Sequence, residues 1–221
     1  SRVLEQAAPI FETVRRVREG LAAEAPRTAL IGFAGSPFTV ACYMVQGHGS
    51  RDFAAARGMA YADPQLFGRL IRTVQDATVA YLLAQVDAGA EALMLFDSWA
   101  GMLSPGQFRR WVIEPTAAIV RTLKKRHPSL PIIGFPRLAG PMLGEYADRT
   151  GVQCVGMDTA MDPRWAAGVV PKSMALQGNL DPLSLIAGVA QRLQDGAFAF
   201  REAQGLPKRP GDNQNIREPV S

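Results

Sequence analysis

Apolar residues along this chain recur at two spacings that take turns. Leu4, Ala7, Phe11, Val14 and Val17 follow a helical period, and Gly20 offers a stop before a loop ending at Pro26, which predicts a first helix. Residues 28–33 form a short continuous apolar run opening into Gly35-Ser36-Pro37, the pattern of a buried parallel strand that feeds a functional loop. Asp63 followed by Pro64 reads as a cap with a first-turn proline, and Leu66, Leu70, Val74, Ala77, Tyr81 and Leu82 carry one stripe as far as Gly89. Residues 92–96 make the next strand. Ser104-Pro105-Gly106-Gln107 has the form of a capping box, ahead of a helix whose buried side holds Trp111, Ile113, Ala117, Ile119, Val120 and Leu123. Residues 131–135, 152–157 and 173–176 supply three more strands, with a helix around 142–149 and a shorter one after Asp162-Pro163.

Strand and helix alternate without adjacent hairpins, which predicts a parallel sheet of right-handed βαβ units and, as its closed form, a (β/α)8 barrel of the TIM type. Five to six strands can be read here, whereas such a barrel takes about 250 residues. The expectation is therefore an α/β fold in which the barrel is incomplete. A barrel domain is expected over residues 1–187, followed by a divergent tail over 188–221 that is partly disordered, because Gly, Pro and polar residues accumulate there and 212–221 has no apolar period.

Composition narrows the class without naming a reaction. At 48% hydrophobic and 20% charged the chain has the balance of an ordinary globular domain. Its apolar runs break well short of the ~20 residues of a membrane span, so a cytoplasmic protein with no membrane partner is expected. Only four of the 24 basic residues are lysines. An arginine bias suits bidentate capture of carboxylates and so fits an acidic small molecule, although solvated helix faces account for it equally well. The arginines are scattered among acids with no basic stripe, which speaks against nucleic acid. Cys42 and Cys154 sit far apart in apolar sequence and read as buried free thiols.

Strand ends are where a barrel does its chemistry. On residues alone, Phe96, Asp97 and Ser98 are either a catalytic rim or a turn in which Asp97 and Ser98 cap and Phe96 and Trp99 pack. Tyr43 reads as a loop tyrosine beside Gly47 and Gly49, offering an apolar face and a polar tip. Arg137 follows a strand and is placed to hold an anion or to face solvent. His48 reads as a loop variant and His127 as a helix C-terminal partner. Gly178 is a tight strand exit, with Asp181 capping a helix that starts at Pro182. No phosphate loop, zinc spacing or Ser-His-Asp set is present, so no cofactor and no metal are expected.

Four segments taken together, Ile31-Gly-Phe-Ala-Gly-Ser-Pro-Phe38, Tyr43-Met-Val-Gln-Gly47, Phe96-Asp-Ser-Trp-Ala-Gly101 and Leu176-Gln-Gly-Asn-Leu-Asp-Pro182, resemble uroporphyrinogen decarboxylase, an enzyme of haem and porphyrin biosynthesis. The resemblance runs from about Leu4 to Leu185. It implies cofactor-free removal of carbon dioxide from the four acetate side chains of uroporphyrinogen III to give coproporphyrinogen, by a carboxy-lyase acting as a cytoplasmic homodimer. It also implies that Phe33 and Phe96 wall the pocket, that Ser98 hydrogen-bonds the substrate, that Tyr43 supports the substrate and the family's principal aspartate, and that Arg137 holds a carboxylate. Asp158 matches an acidic position of the family, with an orienting or structural part.

Leu138 stands where the family usually has glycine. The family's principal aspartate and paired arginines precede the region matched here, and its Asn-Leu-Gly-His-Gly segment follows it, so the chain corresponds to the family's central portion. Whether these 221 residues are active alone is left open. Two alternatives keep the barrel: a zinc- or corrinoid-dependent methyltransferase, which calls for clustered His and Cys ligands, and a noncatalytic remnant.

Overall fold

β1 (Ile31–Gly35), β2 (Ala92–Asp97), β3 (Ile132–Pro136), β4 (Cys154–Gly156) and β5 (Ala175–Gln177) lie side by side in chain order, each pair parallel. The computed structural model describes residues 2–186 of the chain. The expected tail over 188–221 lies outside them. The chain divides into two compact units between Asn179 and Leu180.

Helices fill every crossover. α1 (Arg2–Gln6) and α2 (Ala8–Glu24) precede the sheet, and α3 (Pro37–Gln46), α4 (Ala54–Ala62) and α5 (Pro64–Asp87) join β1 to β2. α6 (Pro105–Phe108), a π-helical turn at Arg109–Ile113 and α7 (Glu114–Arg126) join β2 to β3, after which α8 (Leu143–Thr150) and α9 (Pro163–Val169) complete the remaining crossovers. α10 (Pro182–Ile186) belongs to the second unit. Neighbouring parallel strands with a helix in each connection are the arrangement of an incomplete (β/α)8 barrel.

Period-two alternation sorts the strand side chains into two layers. Leu93, Leu95 and Asp97 of β2 are buried, while Phe33 of β1 is 58% exposed and Phe96 of β2 is half-buried on the opposite face. The buried layer is the main core. It joins Leu93, Leu95 and Ile132 of the sheet to Phe38 and Cys42 of α3, Phe67 and Leu82 of α5, Ile119 and Leu123 of α7, and Leu143 and Tyr146 of α8.

Several local signals act as their chemistry requires. The Asp63 carboxylate accepts from the Leu66 N–H at 2.9 Å, Asp162 from the Arg164 N–H at 2.8 Å and Asp181 from the Leu183 N–H at 2.9 Å, each ahead of a helix with proline in its first turn or at its first position. Gly178 leaves β5 at φ 109°, and a Cβ there would lie 2.7 Å from the Met157 carbonyl oxygen. Cys42 and Cys154 are free thiols, fully buried and half-buried. Burial pushes the Cys42 thiol up to about 12.

Three expectations are corrected. Gly20 does not end the first helix: α1 and α2 are separate, and α2 runs through Gly20 to Glu24, where Ala25, the residue before Pro26, leaves the helical region at φ −145°. Tyr43 is not in a loop but in the last turn of α3, because Pro37 starts a helix directly after Ser36. The Ser104–Gln107 capping box does not form: Ser104 Oγ lies 3.2 Å from the Tyr61 hydroxyl and the Gln107 carbonyl accepts from the Trp111 indole N–H. The helix carrying Trp111 runs on through the π-turn, with Phe108 and Glu114 on either side of it at helical angles and its expected apolar side buried. A further helix, α4, has no counterpart in the sequence-based reading.

Candidate active site

Parallel pairing fixes which strand-end side chains meet. Phe96 stands directly beside Phe135, and Phe33 is two positions before Gly35, the partner of Phe96. On the face turned away from the helices the three rings form one ladder. Phe33 meets Phe96 edge to face at 5.9 Å between centroids, and Phe96 meets Phe135 in the same manner at 5.9 Å. Phe135 is the member that sequence reasoning missed. Its signal was present, since Phe135 ends an apolar run as Phe33 and Phe96 do.

Beyond the strand ends a second aromatic group forms. Tyr43, 45% exposed, lies edge to face with buried Phe53 at 5.3 Å and with Trp99 at 6.2 Å, while Phe53 and Trp99 are 4.8 Å apart. Phe53 takes left-handed backbone angles, φ 46° and ψ 46°, held by the Ser50 Oγ, which accepts its N–H at 3.2 Å. Sequence carries no signal for such a residue. Trp99 follows Ser98 directly, so the Tyr43 ring packs beside the residue next to that half-buried serine. Phe33 and Phe96 are thus in contact, and Tyr43 approaches Ser98 through Trp99.

Arg137 is exposed immediately after β3, on the same rim. Its backbone N–H donates to the Asp97 carbonyl at 3.1 Å, and its carbonyl accepts from the Gly101 N–H at 3.0 Å, so the loops after β2 and β3 are stitched together. Leu138 adopts φ 57°, the left-handed region. A Cβ on Gly101 would fall on the Leu138 backbone. The Asp158 carboxylate accepts from the Leu138 N–H at 2.7 Å and the Ala160 N–H at 3.0 Å, holding that turn.

Asp97 does not cap the turn that follows it. Its side chain points to the helix side of β2, is 1% exposed, and accepts from the Thr39 hydroxyl at 2.7 Å. Burial pushes its carboxyl up to about 7, against which the Thr39 hydrogen bond acts. The phenol of Tyr146 is buried and pushed upward too, by desolvation first and then by the charge of Asp97.

Two cavities are present, the second against the rim turn at Leu138 and Asp158. One of about 500 Å³ is lined by Arg69, Arg72, Arg110 and Trp111, and one of about 440 Å³ by Leu138, Met161 and Trp165. Neither includes the phenylalanine ladder. Among the described residues no three His, Cys, Asp or Glu side chains come together so as to hold a metal ion, the grouping a zinc methyltransferase calls for.

Known proteins resemble this chain as follows. A solved methyltransferase from Methanosarcina mazei superposes with TM-score 0.64 at 18% identity, over 77% of this chain and 48% of that one, a likeness of fold. The curated uroporphyrinogen decarboxylase of Granulibacter bethesdensis is 59% identical over 188 residues, covering 85% of this chain and 55% of that protein. That of Gluconacetobacter diazotrophicus is 55% identical over 214 residues, covering 93% and 60%. That of Erythrobacter litoralis is 56% identical over 218 residues, covering 94% and 63%. The chain thus spans a little over half the length of these relatives. The family model described as Uroporphyrinogen decarboxylase (URO-D) matches residues 2–209, and with a parallel β/α sheet and these relatives in agreement, the chain belongs to that family.

Proposed function

We propose that this chain carries the tetrapyrrole-facing wall of a uroporphyrinogen decarboxylase, a carboxy-lyase that converts uroporphyrinogen III to coproporphyrinogen by removing four acetate carboxyl groups. The observation that carries the reading is the ladder of Phe33, Phe96 and Phe135, three apolar rings in edge-to-face contact across three adjacent strand ends. Phe33 and Phe96 wall the ring. Ser98 supplies a hydroxyl at the end of β2, Tyr43 a phenol from α3, and Arg137 a guanidinium fork for a carboxylate.

Loss of carbon dioxide leaves an electron pair on the carbon that bore it. Protonation of the adjoining pyrrole carbon makes the ring a cationic sink for that pair; the exocyclic methylene so formed then takes a proton to become methyl while the ring carbon gives its proton back, so the substrate supplies the electron acceptor and no cofactor is required. The protein must then exclude water and hold the other carboxylates still, work suited to aromatic walls and a rim arginine. In this reading the enzyme is cytoplasmic and homodimeric, with neither nucleic acid nor membrane as partner. No helix among the described residues is long and apolar enough to cross a membrane.

Two measurements test the proposal. Fluorescence titration with uroporphyrin, the stable oxidised form of the substrate, is expected to saturate, and Phe96→Ala to weaken binding about tenfold by removing the central ring of the ladder. Incubation with uroporphyrinogen III under reducing conditions is expected to yield products with seven to four carboxyl groups. Failure to bind uroporphyrin together with recovery of unchanged substrate overturns the reading. Binding without turnover leaves the chain a noncatalytic holder of the macrocycle.

A further inference from the structure

The two hydroxyl-bearing residues of the proposed site stand on different elements, Tyr43 on α3 and Ser98 just after β2, so something must fix one against the other. A single buried side chain does this. Thr39 Oγ1 donates to the Asp97 carboxylate at 2.7 Å and accepts from the Trp99 backbone N–H at 3.3 Å. It therefore grips the chain on both sides of Ser98. Thr39 is also one helical turn before Tyr43, and residues four apart share a helix face. Nearby, the Ser36 N–H donates to the Phe96 carbonyl at 2.8 Å, so the start of α3 is tied to the end of β2 by backbone as well.

Neither Thr39, 7% exposed, nor Asp97, 1% exposed, stands where a ligand on the phenylalanine face could touch it. Asp97 lies on the other face of its strand. A carboxyl group buried among apolar neighbours is costly, and a hydrophobic side chain would fill that space with less penalty, unless its acceptor oxygen has a task. We propose that Thr39 and Asp97 are positioning residues, a buried latch that sets the separation of the Tyr43 phenol from the Ser98 hydroxyl. The inference rests on the site reading given above, and it adds two residues that act on the ligand only through others.

The test combines binding and amide exchange on the chain itself. Thr39→Val keeps the shape and removes both hydrogen bonds, while Thr39→Ser keeps them. Uroporphyrin affinity is expected to fall about tenfold in Thr39→Val and to return to within about twofold of the starting protein in Thr39→Ser. Because the latch works through Tyr43 and Ser98, Thr39→Val placed in a Tyr43→Phe/Ser98→Ala background is expected to cost less than about twofold more. A full tenfold loss in that background overturns the latch, as does wild-type affinity in Thr39→Val when Tyr43→Phe/Ser98→Ala has lost it. Unchanged binding in Tyr43→Phe/Ser98→Ala overturns the site reading and the latch together. If the chain takes up no uroporphyrin, the site reading fails alone, and the latch is decided by hydrogen exchange of the Trp99 amide. Exchange about tenfold faster in Thr39→Val but not in Thr39→Ser supports it, and equal exchange overturns it. Should Thr39→Val fail to fold, Thr39→Cys, which keeps the shape and weakens both bonds, is read by the same criteria.

Discussion

Asp97 charges the fold for its position. An unfolded chain ionises this carboxyl near the ordinary value of 3.8, whereas burial holds it protonated up to about 7 in the folded protein. Between those values the folded state binds one proton more than the unfolded state, so its contribution to stability falls as pH rises and levels off above about 7. A displacement of this size corresponds to a loss on the order of 4 kcal/mol across the window. The groups that couple to it stay neutral there: the Cys42 thiol is pushed up to about 12 by burial and then by Asp97, and the Tyr146 phenol upward by the same two causes. Asp97→Asn keeps an acceptor for the Thr39 hydroxyl and cannot ionise. Urea unfolding between pH 4.5 and 8 should therefore give a difference between wild type and Asp97→Asn that grows toward high pH in favour of the variant. A constant difference would refute the assignment. Leu138 offers a second residue-scale case, since its φ of 57° strains a side chain that is 49% exposed. Leu138→Gly should raise stability by about 1 kcal/mol, whereas Gly101→Ala, which would drive a methyl group into the Leu138 backbone, should lower it, both read from melting temperatures. Phe96 could be placed at a strand end from its apolar run, and Phe33 beside it through the family resemblance. Thr39 and Phe53 could not, because a hydroxyl bonded 58 residues away and a left-handed phenylalanine leave no pattern in the chain.

Gln85 decides how one edge of the sheet is finished. Near the end of α5, it is 2% exposed and mimics a neighbouring strand: its carbonyl accepts from the Phe33 N–H at 3.0 Å and its amide donates to the Phe33 carbonyl at 2.9 Å. Gly32 makes this possible, for a Cβ there would sit 2.9 Å from the Gln85 oxygen. A strand with unpaired backbone groups is a template for association, and a side-chain amide bonded to both groups blocks that position. Gln85→Leu fills the same volume and satisfies neither group. It should cost about 2–3 kcal/mol, speed exchange of the Phe33 amide and increase self-association in sedimentation experiments. If exchange at Phe33 is unchanged, the edge is protected by something other than this amide. Elements whose ends rest on local chemistry were legible, as at Asp63, Asp162 and Asp181. Ser104 was misread because its partner, Tyr61, comes from α4, and a capping box competes poorly with contacts that only the folded chain supplies.

At the scale of the whole molecule, alternation of strands and helices was enough to give a parallel sheet with strands in chain order, since right-handed crossovers leave few other topologies. The register was not legible, because pairing depends on residues about 40 to 60 positions apart, and with it the contact of Phe96 with Phe135 stayed hidden. That contact makes the ladder continuous across β1, β2 and β3, so a bound macrocycle would brace three strands at once. Anything that binds only the folded state stabilises it by mass action, by about 2.7 kcal/mol at a hundredfold excess over Kd. For a protein of this size that shift corresponds to roughly 5–10 °C in melting temperature. Uroporphyrin at such an excess should produce a rise of that order in the wild-type chain and a smaller one in Phe135→Ala at the same concentration. Coproporphyrin, with four carboxylates fewer, should stabilise less at equal concentration, and the gap between the two ligands should narrow in Arg137→Gln if that guanidinium holds a carboxylate. An equal rise from both ligands would assign the binding to the aromatic face alone and remove Arg137 from the site.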